Sequence, residues 1–203
     1  MLNDAMHVLN SRKSDLDMIM SDLESKTVET VAITKASIIM MAYNMVEGVF
    51  FTLLQEVFDF LKDSSKGIGE LTKELQLDIL NYHFRVKPER LIEFIEAGKI
   101  EIPAFTDYVK ILPIFSGNLD SKSIRELSGK FGVSFKNSKW KSNDKRFSAL
   151  LYIKETRNKL AHGEISYSQA CRDKTLEELH EYIDKAYEYI KQLIGSFEKV
   201  YPK

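Results

Sequence analysis

The chain has 203 residues, of which 44% are hydrophobic and 29% are charged, and its formal net charge is −1. This composition is typical of a globular protein with one sizeable core, and the nearly neutral charge excludes a whole-molecule attraction to polyanions, so that any contact with nucleic acid requires a local basic patch. The single cysteine, Cys171, excludes an intrachain disulfide and a cysteine-based metal site, and we expect a cytoplasmic location.

The first third of the chain is predicted to form two helices. Apolar residues recur with the period of an amphipathic helix within residues 2–25. A second helix is expected over 28–62, where apolar residues occur on nearly every face, as in the central helix of a bundle. Its most apolar stretch, 36–61, contains too many polar residues for a membrane span. The N-terminus lacks the pattern of a signal peptide.

The middle of the chain is predicted to contain shorter helices and an irregular segment. One helix is expected from 68 to about 82, and another over 88–97, because proline suits a first helical turn and Gly98 suits a helix end. Residues 99–117 contain two prolines and show no clean period, which favours irregular or partly extended structure. We interpret 99–143 as an insertion between bundle helices.

Three helices are predicted in the last part of the chain. They cover 121–131, about 144–162 and about 175–200, and the first and last begin with the spacing of a capping box. Together these elements predict an all-α fold, an up-and-down helical bundle of four to five main helices with a partly irregular insertion. We expect one domain over residues 1–203.

Chemistry is suggested by one segment, Arg157-Asn158-Lys159-Leu160-Ala161-His162-Gly163. A guanidinium, an amide and an imidazole within six residues can bind a phosphodiester and move protons around it. Arg157 and His162 differ by about 140° on a continuous helix, so they reach one target only where the backbone leaves the helix. Gly163 predicts that helix end, where the dipole favours a charged His162 acting as a general acid.

A structural interpretation of the same segment stays open. Basic residues before a glycine also compensate the helix dipole and cap the helix end. The sequence contains no motif for metal binding, phosphate-loop binding or nucleophilic catalysis. The four histidines show no metal-ligand spacing, and neither a glycine-rich phosphate loop nor a serine or cysteine nucleophile motif occurs. We therefore expect neither a metal nor a cofactor.

A local basic patch is predicted around residues 121–146, which carry eight basic residues against two acidic ones. Such a patch can bind a phosphate backbone, and a tryptophan can stack on an unpaired base. The candidate contacts are Lys139, Trp140, Lys141, Lys145 and Arg146. The alternative is a solvated loop with a partly packed tryptophan.

Two further residues are candidate contacts. Lys154 lies one turn before Asn158 and is either a second phosphate ligand or a lysine whose stem packs while its charge reaches water. Glu47 lies in the middle of the apolar helix and is costly to bury without a partner. We expect Glu47 either to hydrogen-bond Arg157 or His162, or to reach the surface.

The segment Arg157-Asn158-x-x-x-His162, late in a helical chain and before a final long helix, resembles the Arg-polar-x(3–5)-His signature of the HEPN superfamily. The long apolar helix with Glu47, and the residues around 117–121 and 124–127, are similar to the prokaryotic stand-alone HEPN proteins. The signature covers six residues, and the helical layout extends the resemblance over most of the chain.

The resemblance implies a homodimer in which two signature segments face each other. It implies a metal-independent endoribonuclease that leaves 2′,3′-cyclic phosphate and 5′-hydroxyl ends, commonly a toxin of a toxin–antitoxin or antiphage system, with RNA as substrate and a cognate antitoxin or inhibitor as partner. At matching positions Arg157 and His162 are the essential pair and Asn158 is the variable polar member. Glu164 stands where some toxins carry a modified tyrosine. The alternative is a catalytically inactive HEPN-fold module that binds RNA, nucleotide or a partner protein.

Overall fold

The described part of the chain consists mainly of α-helices. The computed structural model describes residues 2–23, 27–64, 67–86, 88–111, 115, 117–134 and 144–202, and no strand occurs among them. The α-helices in these ranges are α1 (Asn3–Ser21), α2 (Val28–Asp63), α3 (Lys73–Val86), α4 (Arg90–Ala97), α5 (Phe105–Tyr108), α6 (Ser121–Lys130), α7 (Lys145–Ala161), α8 (Tyr167–Ala170) and α9 (Leu176–Val200). The predicted all-α fold is confirmed.

Helix α2 is the centre of the bundle. It begins at Thr27, whose hydroxyl accepts the N–H of Thr30. Its buried residues cover more than half of its circumference, Asn44, Gln55 and Asp59 lie on the exposed side, and it packs against α1, α5, α7, α8 and α9. In the described part of the chain, Thr30–Asp63 is the one stretch long and apolar enough to cross a membrane by length and composition, and 56% of its apolar window is buried inside the protein. Burial by the surrounding helices accounts for this apolar composition.

Two long helices cover α2. Helix α1 packs against α2 and α9, and α9 packs against α2 and α7. The apolar residues of α9 recur at helical spacing, so they share one face of the helix, and that face is buried. Its buried residues are Leu179, Ile183, Ala186, Tyr189, Ile190, Leu193, Ile194 and Phe197. The Thr175 hydroxyl accepts the N–H of Glu178 in the predicted capping box. Helix α7 therefore packs against both α9 and α2.

Some helix boundaries differ from those predicted from the sequence. Helix α3 begins later, because Ile68–Glu70 form a separate 3₁₀ turn and the Thr72 hydroxyl then accepts the N–H of Leu75. Residues 99–117 were expected to be irregular or partly extended, but they contain α5 and a 3₁₀ turn at Val109–Ile111. Helix α8 was not predicted, since four residues are too few to show a period.

Residues after 99 contribute to the same core as the long helices. The rings of Phe105 and Tyr108 lie 5.3 Å and 4.8 Å from the ring of Phe58 on α2. Leu119, on the approach to α6, is also buried in this core, as is Ile124 within α6. The described part of the predicted insertion is therefore packed into the bundle and holds the turn before α6 against α2.

Candidate functional site

Helix α7 ends in a turn that leaves a histidine at the surface. Gly163 has a φ of +70°. The N–H of Gly163 donates to the carbonyl of Leu160 at 3.2 Å, and the N–H of Glu164 donates to the carbonyl of Lys159 at 2.9 Å. These are the two bonds of a Schellman motif. His162 is the capping residue, with an exposed side chain, so the predicted helix end is confirmed.

The guanidinium of Arg157 contacts three parts of the structure. Its Cζ lies 4.8 Å from the centre of the Tyr43 ring on α2, within the range of a cation–π interaction. Its Nη1 donates to Oδ1 of Asn158 at 3.1 Å. The third contact is Gly117, where an added Cβ would overlap the guanidinium. We call residues 117–120 the 117–120 turn. Arg157 thus lies where this turn, α2 and α7 meet.

Two other polar residues of α7 reach the 117–120 turn. Nδ2 of Asn158 donates to Oδ1 of Asn118 at 3.4 Å. Nζ of Lys154 donates to Oδ2 of Asp120 at 2.7 Å, and these two side chains are only 18% and 22% exposed. Burial alone raises the pKa of Asp120, but hydrogen bonds from Lys154 and Ser123 outweigh it, and the pKa lies below its usual value. The charge of Lys154, a predicted phosphate ligand, is therefore balanced by Asp120.

Replacing Asp120 by Asn is expected to lower the free energy of unfolding by about 1 kcal/mol at neutral pH. Asn also caps helices well, so the change removes the ion pair with Lys154 and keeps the cap of α6. Because the folded pKa is lowered, the stabilisation is present above the unfolded value, about pH 4, and is lost as the pH falls through the folded pKa. Urea titrations of wild type and variant at several pH values measure this.

The control for this change is Glu126→Gln. Glu126 pairs with Lys122 at 3.9 Å, but both side chains are largely exposed, at 67% and 77%. An exposed pair contributes little, so this variant should match the wild type at neutral pH. A stability difference for Asp120→Asn that stayed constant down to acid pH would contradict the assigned ion pair.

Tyr43 connects the 117–120 turn to Glu47. Its hydroxyl accepts the N–H of Leu119 at 3.1 Å and donates to Oε1 of Glu47 at 3.3 Å. Burial, together with the charge of Glu47, raises the pKa of Tyr43 to about 12, so the phenol keeps its proton. Glu47 was expected to bond Arg157 or His162 or to reach the surface. Glu47 is partly exposed, in agreement with the second expectation, and it accepts a hydrogen bond from Tyr43, whose ring lies against Arg157.

The basic residues at the start of α7 have acidic partners. Arg146 donates to both carboxylate oxygens of Asp144, at 2.8 Å and 2.7 Å. Nζ of Lys145 lies 2.7 Å from Oε1 of Glu181, and the lysine side chain is 74% exposed. Lys139, Trp140 and Lys141 lie outside the described residues. The charges of Lys145 and Arg146, the two candidate contacts of the basic patch that the structure describes, are therefore balanced by acidic partners.

The structure brings together only part of the predicted site. Lys154, Arg157 and Asn158 meet the 117–120 turn, whereas the exposed His162 caps the helix about 140° further round. Sequence reasoning assigned no role to Tyr43 or to the 117–120 turn. One sequence feature could have indicated the role of Tyr43. It precedes Glu47 by four residues, and side chains at that spacing are neighbours on a helix.

Other chemical groups show no arranged site. Across the part of the chain that the structure describes, no group of three or more His, Cys, Asp or Glu side chains could hold a metal ion. Cys171 is buried and accepts a hydrogen bond from the hydroxyl of Tyr152 at 3.7 Å. Burial is the main cause that raises the pKa of this thiol. A reactive thiolate is therefore not favoured at this position.

Comparison with known proteins places the chain in a family. A family model described as MAE_28990-like HEPN matches residues 2–203. No curated protein and no solved structure matches the chain significantly. The match extends over the helical bundle, from α1 to the end of α9. The chain therefore belongs to the HEPN superfamily.

Proposed function

We propose that this protein is a metal-independent endoribonuclease that acts as a homodimer, with Arg157, Asn158 and His162 at its site. Membership of the HEPN family suggests an RNA-related module. The observation that carries the proposal is the charge of Arg157. Its hydrogen bond goes to the neutral amide of Asn158, and no carboxylate of the described residues forms an ion pair with it. A half-buried guanidinium whose charge is not paired with a carboxylate can bind a phosphodiester.

The proposed reaction uses the RNA itself as nucleophile. The 2′-hydroxyl loses its proton to a base and attacks the adjacent phosphorus, the bond from phosphorus to the 5′-oxygen breaks, and an acid protonates that oxygen. The products are a 2′,3′-cyclic phosphate and a 5′-hydroxyl. His162 carries one or both proton transfers, because its imidazole is exposed at the end of α7. Arg157 offsets the charge that grows on the phosphate oxygens.

Dimerisation is part of the proposal for a geometric reason. Within one chain Arg157 and His162 lie about 140° apart around α7, so one copy does not present both to the same phosphate without a second segment. A second copy related by two-fold symmetry adds another Arg157 and another His162 to the same surface. Mixing Arg157→Ala with His162→Ala is then expected to restore cleavage that neither variant shows alone. Absence of restored cleavage in verified mixed dimers would contradict a site shared between chains.

The proposed biological role follows from the family alone. We propose a cytoplasmic toxin of a toxin–antitoxin or antiphage system, restrained by a cognate antitoxin or inhibitor protein. The second candidate function is a HEPN-fold module that binds RNA, nucleotide or a partner protein without cleaving it. The separation of His162 from Arg157 within one chain favours this candidate if the chain is monomeric.

The deciding experiment is incubation of the purified protein with a defined RNA in EDTA, followed by analysis of the new ends. Cyclic-phosphate ends, lost when the cleaved nucleotide carries a 2′-deoxy sugar, are the expected result. Binding of the RNA without cleavage would favour the second candidate function. Light scattering on the same sample gives the oligomeric state.

A further inference from the structure

The 117–120 turn contacts the polar side of α7 and α2 through four successive residues. Gly117 lies against the guanidinium of Arg157. Asn118 accepts from Asn158, the N–H of Leu119 donates to Tyr43, and Asp120 pairs with Lys154. A one-residue shift of this turn would break all four contacts at once. The turn therefore has one register against α7.

Gly117 is required at its position for two reasons. Its φ of +85° lies in the left-handed region, which other residues rarely adopt. A Cβ built on Gly117 would also overlap Nη1 and crowd Cζ of Arg157. The guanidinium therefore packs directly on the backbone of the turn. Any side chain at 117 would displace it.

Tyr43 supports the guanidinium from α2. Its side chain is only 1% exposed, and both hydrogen bonds of its hydroxyl are satisfied, by Leu119 and Glu47. The ring is therefore fixed, and its face offers a surface at 4.8 Å from Cζ of Arg157. The Nε of Arg157 is buried and has no hydrogen-bond partner, which shows that the inner edge of the guanidinium is enclosed by packing.

We propose that Tyr43 and Gly117 are positioning residues for the phosphate contact of Arg157. The ring of Tyr43 and the backbone of Gly117 hold the guanidinium in one orientation, and neither residue touches RNA. Glu47 acts one step further away by orienting the phenol of Tyr43. This inference rests on the proposed function for its effect on cleavage, and on the packing alone for its effect on Arg157.

The first test compares Tyr43→Phe with Tyr43→Leu. Leucine removes the ring, and the freed guanidinium should lower kcat about tenfold or more, with a smaller change in KM. Phenylalanine keeps the ring and loses only the hydroxyl, so a loss of about threefold is expected. The matched control is Phe94→Leu, because Arg90 lies 5.2 Å from the centre of the Phe94 ring and both residues belong to α4, which packs against α3. Equal losses for all three variants would overturn the proposal.

The second test compares Gly117→Ala with Gly98→Ala. Both glycines have positive φ, at +85° and +62°, so both variants carry the backbone strain. Only at Gly117 would the new Cβ meet another group, since nothing lies within 4 Å of the position at Gly98. Gly117→Ala is expected to lower kcat about tenfold or more, and Gly98→Ala to leave it unchanged. Equal activity of the two variants would overturn the role of Gly117.

A readout independent of cleavage keeps this inference separate from the proposed function. The Nε–Hε group of Arg157 gives a proton–nitrogen NMR signal, assigned by its loss in Arg157→Lys. In wild type and Tyr43→Phe we expect a signal shifted upfield by the ring and slow to exchange with water, and in Tyr43→Leu the shift should disappear. If the wild type does not cleave RNA but the signal behaves in this way, the proposed function fails and the positioning stands. An unchanged signal in Tyr43→Leu would overturn the positioning.

Discussion

Replacing His162 by Ala is expected to lower the rate of RNA cleavage by about 10²- to 10⁴-fold, the usual contribution of a general acid or base. Replacing Arg157 by Ala should cost about 10²- to 10³-fold, because charge growing on the phosphate would lose its stabilising group. His162 is exposed and caps α7, so its removal should leave the fold intact. Initial rates on one RNA, measured at equal protein concentration, give both effects.

Matched controls exist elsewhere on the surface. His180 on α9 and Arg172 between α8 and α9 are also exposed, and their replacement by Ala is expected to leave the rate unchanged. Arg157→Lys separates charge from geometry, since lysine keeps the charge and lacks the planar fork. Wild-type cleavage that survived in both His162→Ala and Arg157→Ala would show that the activity arises elsewhere.

Replacing Phe58 by Ala is expected to lower the free energy of unfolding by about 3–5 kcal/mol. Phe58 is fully buried on α2, and three aromatic rings surround it, those of Phe105, Tyr108 and Phe131, at 5.3, 4.8 and 5.9 Å. The cavity would weaken the contact of α2 with both α5 and the end of α6. Urea unfolding followed by circular dichroism measures the loss.

The control is Phe84→Ala on α3. Phe84 is 67% exposed, so its truncation should change stability by less than about 0.5 kcal/mol. An equally small effect at Phe58 would mean that Phe105, Tyr108 and Phe131 do not pack on α2 in solution. The comparison thus tests whether the segment interpreted from the sequence as an insertion is part of the core.

Much of the fold could be predicted because helices depend on local patterns. The period of apolar residues identified α2 and α9, and the capping residues Thr175 and Gly163 gave two helix ends within one or two residues. The prediction was poorest over 99–117, where two prolines and several aromatics obscure any period. The aromatic residues Phe105 and Tyr108 of this segment fill the core beside α2. The order of residues along the chain does not show which helix they pack against.

In the candidate site, too, some features follow from the local sequence and others from the packing of distant segments. The types and spacing of Arg157, Asn158 and His162 are properties of the sequence, and so is the glycine turn that ends α7. The sequence also suggested Lys154 as either a phosphate ligand or a lysine with a packed stem, because it lies one turn before Asn158. Its partner, Asp120, is 34 residues away in the chain, so the pairing became visible only after folding.

By itself, the sequence determined the helical class, the central position of α2 and the end of α7 at which the candidate functional residues lie, because each depends on residues within a few turns of one another. Only the tertiary structure decided the surroundings of Arg157. The ring of Tyr43, the backbone of Gly117 and the amide of Asn158 come from α2, a turn and α7, and they meet because those segments share one core. Contacts between distant segments depend on packing in three dimensions, and the local pattern of residues does not specify that packing.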